Sequence, residues 1–237
     1  MELPFSNGDQ GLGLSCLTDP VTESNCYVIR QDRTCLVIDP NSFRLLELLF
    51  QKWNIRPCLA LLTHEHCDHI GGLNELRERY HIPVAASREC SRGIQSAKEN
   101  MSRMMEMFLY YKNGETKITP YKPFTCRETE IQFEGELYLP LFGGLISMKN
   151  LPGHTRGSSV ISYEIPSGNN GSETIVFCGD YLLPGEQVLT RLPGGSMEDY
   201  EKIAKPWLVQ IPDGIRIFPG HGNAFRMSRE VRNDHDL

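Results

Sequence analysis

The chain has 237 residues, 40% hydrophobic and 23% charged, with a formal net charge of -6 and a pI near 5.7. An acidic balance without a long basic run argues against a general nucleic-acid-binding face. No apolar run approaches the ~20 residues of a bilayer span, and Met1 to Ser6 lacks the basic-then-apolar order of a secretion leader. The length suits one globular α/β domain with a sizeable core. Eight cysteines are scattered without a Cys-x-x-Cys pair. Most lie in apolar runs, the pattern of reduced thiols in a cytoplasmic protein.

Residues 12–40 read as short strands, Gly13 to Leu17, Cys26 to Arg30 and Thr34 to Asp39, with Asp32-Arg33 as a hairpin turn. Phe43, Leu46, Leu49, Phe50 and Trp53 then recur at helical spacing, with Ser42 placed to cap the helix. Ile55 to Leu62 has the apolar run of a buried strand. A helix over Leu73 to Tyr80 and a strand over Val84 to Ser87 follow. Such alternation fits half of a sandwich with helices on its outer faces. Glu89 to Tyr111 reads as one helix dense in Met and aromatic residues. It either covers the core or forms an adaptable lid or dimer surface. Thr119 to Phe124 reads as an extended loop. Strands return at Ile131 to Phe133, Leu145 to Leu151, Ser159 to Ile165 and Thr174 to Phe177, with a hairpin loop over Pro166 to Ser172. Ser196 to Gln210 is a helix, capped by Ser196 and carrying Glu198 and Asp199 at its N-terminal end.

The chemistry concentrates in Thr63-His64-Glu65-His66-Cys67-Asp68-His69, between the buried strand and Gly71-Gly72. Three imidazoles and the Asp68 carboxylate in one loop suit zinc, iron or manganese. Three further segments end an apolar run in glycine plus a potential ligand: Gly153-His154, Gly179-Asp180 and Gly220-His221. A fourth apolar run ends in Asp39-Pro40. Glycine lets the backbone turn sharply beside a ligand, and strand ends deliver such residues to one rim of a sheet. Five of the seven histidines lie in these segments. His81 reads as a structural or solvated residue at a helix exit, and His235 as an exposed residue of a polar tail. Cys67 lies inside the cluster, whose neighbours already supply the usual ligands.

The ordered set Asp39, His64-x-His66-x-Asp68-His69, His154, Asp180 and His221 resembles the metallo-β-lactamase superfamily of metallo-hydrolases, from Asn25 to Asn233. Within it the chain is similar to the glyoxalase II-like group, through Pro152 to Ser158, Gly179 to Leu183, Arg191 to Ser196 and Pro219 to Gly222. The resemblance implies an α/β fold of the αββα four-layer sandwich type, two mixed β-sheets flanked by helices. It would span residues 1–237 as one domain, with a helical and loop insertion about 88–126 near the substrate mouth. It also implies two divalent metal ions, zinc first, with iron or manganese as alternatives. His64, His66 and His154 would hold one, Asp68, His69 and His221 the other, with Asp180 bridging and Asp39 orienting a ligand histidine. A hydroxide between the ions would attack a thioester, ester or lactone carbonyl, with Asp68 orienting it and passing on its proton.

The chain departs from those relatives in three places. Sixteen residues follow His221, too few for the glutathione-holding helical domain of the larger glyoxalase II enzymes. Leu189 to Leu192 stands where relatives carry a Gly-Arg-Thr-Asp-type turn, and Asn223 to Met227 where they carry a Thr-Thr pair. These changes point away from glutathione thioesters. Arg156, Tyr181, Arg191 and Arg226 are candidate substrate contacts, each equally readable as a solvated side chain. A mononuclear iron persulfide dioxygenase of the same fold, or a phosphodiesterase, is the alternative activity. The expected partner is a small-molecule substrate, with no nucleic acid and no membrane; a homodimer is left open.

Overall fold

The computed structural model describes residues 2–3, 11–167 and 171–237. Its first sheet has seven strands in sequence order: β1 (Glu2–Leu3), β2 (Leu12–Thr18), β3 (Asn25–Gln31), β4 (Thr34–Ile38), β5 (Arg56–Leu61), β6 (Val84–Ser87) and β7 (Ile131–Phe133). The pairs from β1 to β4 are antiparallel, and those from β4 to β7 are parallel. Each parallel step needs a crossover. Helix α1 (Phe43–Trp53) supplies the first, α2 (Cys67–Ile70) and α3 (Leu73–Tyr80) the second, and α4 (Arg88–Gly93) and α5 (Met105–Lys112) the third.

The second sheet has six strands in the order β13-β12-β11-β10-β9-β8. They are β8 (Glu136–Leu141), β9 (Gly144–Asn150), β10 (Ser159–Ser167), β11 (Gly171–Gly179), β12 (Arg216–Pro219) and β13 (Phe225–Arg226). The parallel step from β11 to β12 is crossed by α6 (Met197–Asp199), a π segment (Tyr200–Ala204) and α7 (Lys205–Leu208). Helix α8 (Arg229–Asp234) ends the chain. No helix among the described residues is long and apolar enough to cross a membrane, and none of the eight cysteines is in a disulfide.

The period of two along each strand explains the layering. In β3, Cys26 and Val28 face the helices with Leu46, Phe50 and Leu76, whereas Tyr27 and Ile29 face the other sheet. Strand β4 splits the same way: Cys35 and Val37 go outward, Leu36 and Ile38 inward. The inter-sheet layer joins them to Ile161, Tyr163, Phe177 and Phe218. A third apolar layer packs Val160, Val176 and Ile217 against Tyr200, Ala204 and Leu208. Strands apolar on both faces must be covered on both, which yields the four-layer αββα sandwich.

Several sequence expectations need correction. Glu89 to Tyr111 is two short helices rather than one. Met101 lies at φ 67°, and buried Asn100 spends its side chain on Ser102 N and Phe124 O and its carbonyl on Cys67 N. Those bonds to the loops and to α2 compete with helix continuation. Ser42 occupies the cap position of α1, but its hydroxyl makes no capping bond. Ser196 does cap, accepting from Asp199 N at 3.1 Å, and Ser228 caps α8 from Val231 N at 3.3 Å. Strand β8 escaped notice because Pro140 interrupts it; as an edge strand it tolerates proline. His235 is 4% exposed, against its reading as a solvated tail residue, because α8 folds back on the second sheet's helical layer. Of the expected Pro166 to Ser172 loop, β10 and β11 pair as far as Ser167 and Gly171, and the intervening residues lie outside the described ones.

One side chain joins the two sheets at the rim. Asn25 Nδ2 donates to Pro219 O at 3.1 Å and Gly222 O at 2.8 Å, and Asn25 N donates to Gly220 O at 2.7 Å. Tyr27 reinforces this from below, its hydroxyl donating to Pro219 O at 2.7 Å. Asn25→Ala takes the side-chain donor from Gly222 O and leaves Pro219 O with Tyr27 alone, and is expected to lower the unfolding free energy by about 1 kcal/mol. Urea titration checks it; an unchanged midpoint would show that the tie contributes nothing.

Candidate metal centre

Every residue of the site stands just beyond a strand end on one rim of the sandwich. Asp39 follows β4, the run from Thr63 to His69 follows β5, His154 lies between β9 and β10, Asp180 follows β11 and His221 follows β12. The turns bringing them there are tight. Gly179 sits at φ 53°, where a side chain is disfavoured. A Cβ on Gly220 would strike Asp180 Oδ1 and stand 2.8 Å from His69 Cε1.

Three overlapping donor groups result among the described residues; that of Asp39, His64 and His69 forms the back of the cluster, and the other two face the cavity. His64, His66, His154 and Asp180 each offer an atom within 4.8 Å of the others'. Asp68, His69 and His221 form a second such group. Asp180 stands between them: Oδ2 is 3.9 Å from His64 Nε2, 3.6 Å from His154 Nε2 and 3.7 Å from His221 Nε2, and Oδ1 is 3.4 Å from His69 Nε2. His66 Nδ1 and His154 Nε2 face each other at 3.1 Å. Asp68 Oδ2 lies 3.2 Å from His221 Nε2.

The back of the cluster fixes the tautomers. Asp39 Oδ1 accepts from Thr63 N at 2.7 Å, and Oδ2 accepts from the Thr63 hydroxyl at 2.6 Å. Having donated to Asp39, the Thr63 hydroxyl accepts from His64 Nδ1–H at 3.0 Å. His69 Nδ1–H donates to Asp39 Oδ2 at 3.1 Å, and His154 Nδ1–H to Leu189 O at 2.7 Å. The Nε2 atoms of His64, His69 and His154 therefore all point inward. His64 Nε2, His69 Nε2 and Asp180 Oδ1 are buried without a hydrogen-bond partner, as is the outward His66 Nε2. Unpaired buried polar atoms are rare, and three converging on one point are the mark of a site built for a ligand.

The electrostatics divide along the same line. Burial pushes the pKa of His64, His66 and His154 down, His66 to about 3, so these rings are neutral donors. Burial also opposes charge on Asp68 and Asp180, but the His69 and His221 imidazoles outweigh it; Asp68 is held at about 2 and Asp180 well below the usual range. Burial would lower His69 and His221 too, yet the Asp180 and Asp68 carboxylates reverse the sign and raise both. Two carboxylates are thus balanced by two imidazolium protons.

The site forms the floor of a cavity of about 550 Å³, lined by His66, Asp68, His154, Asp180 and His221 and walled by Met101, Met105, Phe108, Leu109, Leu189 and Leu192. The four tentative substrate residues are not among its lining. Tyr181 is 2% exposed, packs between Leu182 and Tyr200 and donates its hydroxyl to Leu151 O. It braces the His154 loop from inside, accepting from His154 N at 3.4 Å. Arg156 and Arg191 line a second cleft of about 400 Å³ with Glu65 and Lys98. Arg226 donates to Gly214 O at 2.7 Å on β13, outside both. Cys67 is buried and belongs to neither donor group.

Glu65, Thr63 and Leu189 went unassigned in the sequence. Glu65 is 3% exposed and accepts from the Thr155 hydroxyl at 2.8 Å, pinning the loop that carries His154. Burial, against the Thr155 hydrogen bond, moves its pKa up to about 7. Its place between His64 and His66 was the available signal.

The chain is similar to several known proteins. A probable metallo-hydrolase, YqgX of Bacillus subtilis, is 29% identical over 204 residues, 84% of this chain and 85% of that protein. The hydroxyacylglutathione hydrolase GloC of Haemophilus influenzae is 28% identical over 222 residues, 91% of this chain and 94% of that one. Among solved structures, TTHA1623 in a di-iron-bound form is 27% identical, with a TM-score of 0.66 over 94% of this chain and 100% of that chain. The family model described as the metallo-beta-lactamase superfamily matches residues 19–221, a span containing every residue of both donor groups, and the chain belongs to that superfamily.

Proposed function

We propose that this chain is a dinuclear-metal-dependent hydrolase that cleaves a thioester, ester or lactone carbonyl, within the glyoxalase II-like group. The observation that carries the reading is the Asp180 carboxylate set between two donor groups, within 3.9 Å of four imidazole nitrogens. His64, His66 and His154 would hold one ion, Asp68, His69 and His221 the other, with Asp180 shared. The donors fit such a pair: ligands about 2.0–2.2 Å from a common ion lie roughly 3–4 Å apart, the spacing of these side chains. Nitrogen and carboxylate donors suit zinc, iron and manganese, and a relative of known structure holds two irons. Bound ions of this kind supply Lewis acidity to a carbonyl oxygen and lower the pKa of water towards neutrality.

The residues do the rest. Asp39, through Thr63 and His69, holds two rings in the tautomer that leaves Nε2 free. Asp68, ionised at the cavity floor, orients the attacking water and takes up its proton. The apolar walls flank the place of the reacting carbonyl, where a bound substrate would displace water. A second complete donor group supports a dinuclear hydrolase over a one-iron dioxygenase, which needs only a facial triad. The GloC name supports a thioester among the candidate substrates.

The test is metal content per chain together with turnover of a panel: S-lactoylglutathione, other acyl thioesters, an acyl-homoserine lactone, a phosphodiester, and glutathione persulfide with an oxygen electrode. Two metals with thioester, ester or lactone cleavage are expected; one iron with oxygen uptake would overturn the reading. Asp180→Asn and His66→Ala should each bring turnover to background while near-ultraviolet circular dichroism stays native. Retained activity with an unchanged metal count would remove both from the ligand set.

Asp39→Asn should weaken metal affinity about 10–100-fold, because the His69 ring and the Thr63–His64 link lose their anchor. Competition with a chelator measures it, and wild-type affinity would exclude the role. The same assay should show a pH dependence. His69 and His221 hold protons above the usual imidazole range, and those protons must leave before a cation enters. Affinity should therefore fall as pH is lowered from about 8 to about 6. A flat profile would contradict it.

A further inference from the structure

The walls of the metal-floored cavity differ sharply from its floor. Met105, Phe108, Leu109 and Lys112 recur at the i, i+3, i+4, i+7 spacing that sets one face of α5 against the cavity, and all four line it. Leu189 and Leu192 line the opposite side. Phe108 is 37% exposed and Leu189 46%, apolar surface that nothing else in the described structure covers. Lys112 is the one Lys or Arg among the lining residues, and it is taken by Glu23 at 2.7 Å across the mouth. The walls above the floor therefore offer apolar area and no unpaired lysine or arginine, a surface matched to a neutral aliphatic group.

We propose that this wall receives an apolar acyl chain, so that the substrate is an ester or thioester of a medium-length aliphatic acid, with Phe108 and Met105 setting chain-length preference. The inference rests on the hydrolase reading and names its substrate class. A carbonyl placed at the floor directs its acyl chain along either wall, and at about 550 Å³ the cavity is of the size that encloses a small ligand. Each methylene buried there is worth about 0.8 kcal/mol, or roughly fourfold in kcat/KM, until the wall is covered.

The experiment is a series of straight-chain acyl thioesters on one carrier, acetyl through dodecanoyl, with the metal-loaded protein. Expected is a rise of about fourfold in kcat/KM per methylene, then a plateau. Phe108→Ala should cut the decanoyl-to-acetyl ratio about tenfold, Met105→Ala by less. Tyr111→Ala, on the outward face of α5 and 58% exposed, should leave the profile unchanged. A flat or falling profile in an active enzyme overturns the acyl inference and leaves the hydrolase reading intact. Calorimetric binding of short- and long-chain methyl ketones gives a readout that needs no turnover. If no thioester, ester or lactone is cleaved, the hydrolase reading fails; ketone affinity that does not grow with chain length, or is unchanged in Phe108→Ala, overturns the acyl site independently.

Discussion

The Asp39 carboxylate is the constraint on which the rim of this sandwich depends. It stands at the end of β4 in the left-handed region, at φ 52°, immediately before Pro40. From there its two oxygens accept from Thr63 N, the Thr63 hydroxyl and His69 Nδ1, so one side chain at the end of β4 fixes the loop that leaves β5. The parallel pairing of β4 with β5 puts those ends side by side. Parallel strands release their loops at the same edge, and a carboxylate on one can organise the backbone of the next. Because the Thr63 hydroxyl donates to Asp39, it can only accept from His64, so the orientation of two imidazoles follows from one acidic residue.

The second sheet reaches the same rim by a different device. His154 and His221 come from loops held by carbonyl and amide bonds: Leu189 O behind His154, Asn25 and Tyr27 beneath Pro219 to Gly222. The rings of Tyr27, Phe177 and Phe218 pack between the sheets directly below, with centroids 5.1–5.5 Å apart, Phe177 stacked on Phe218 and Tyr27 tilted or edge-on to both. Close packing there fixes the distance between β3 and β12, and with it the approach of His221 to Asp68. Packing and polar satisfaction act on the same few strand ends, which makes the donor spacing a property of the sandwich rather than of flexible loops.

Much of this was legible in the sequence where one residue type has one physical use. Apolar runs pointed to β3, β4 and β5, and the ordered His and Asp residues, through the family they resemble, pointed to the side chains that the structure gathers at the rim. The failures came where a side chain's direction depends on a turn. Tyr181 follows Gly179 and Asp180, and the φ of 53° at Gly179 sends it into the helical layer instead of the cavity. Met101 and Asn100 break a helix that composition favours, through bonds to the loops near Phe124 and to Cys67 N that no local pattern announces. Buried His235 needed α8 to fold back, a tertiary event.

The apolar walls and the charged floor are physically linked. Excluding water lowers the local dielectric and strengthens every interaction among the floor's donors, but it also raises the cost of any charge left unbalanced. The floor meets that cost internally: Asp68 and Asp180 are ionised because His69 and His221 are protonated beside them, while the other three imidazoles stay neutral. A dication entering between the carboxylates replaces the positive charge those protons supply, so ion and protons compete for one electrostatic role. Making the walls more apolar would sharpen that competition by strengthening both sides of it, whereas a wall carrying its own cation would relieve it and weaken the attraction for metal. The pairing of Lys112 with Glu23 offsets the charge of the one lysine that lines the cavity.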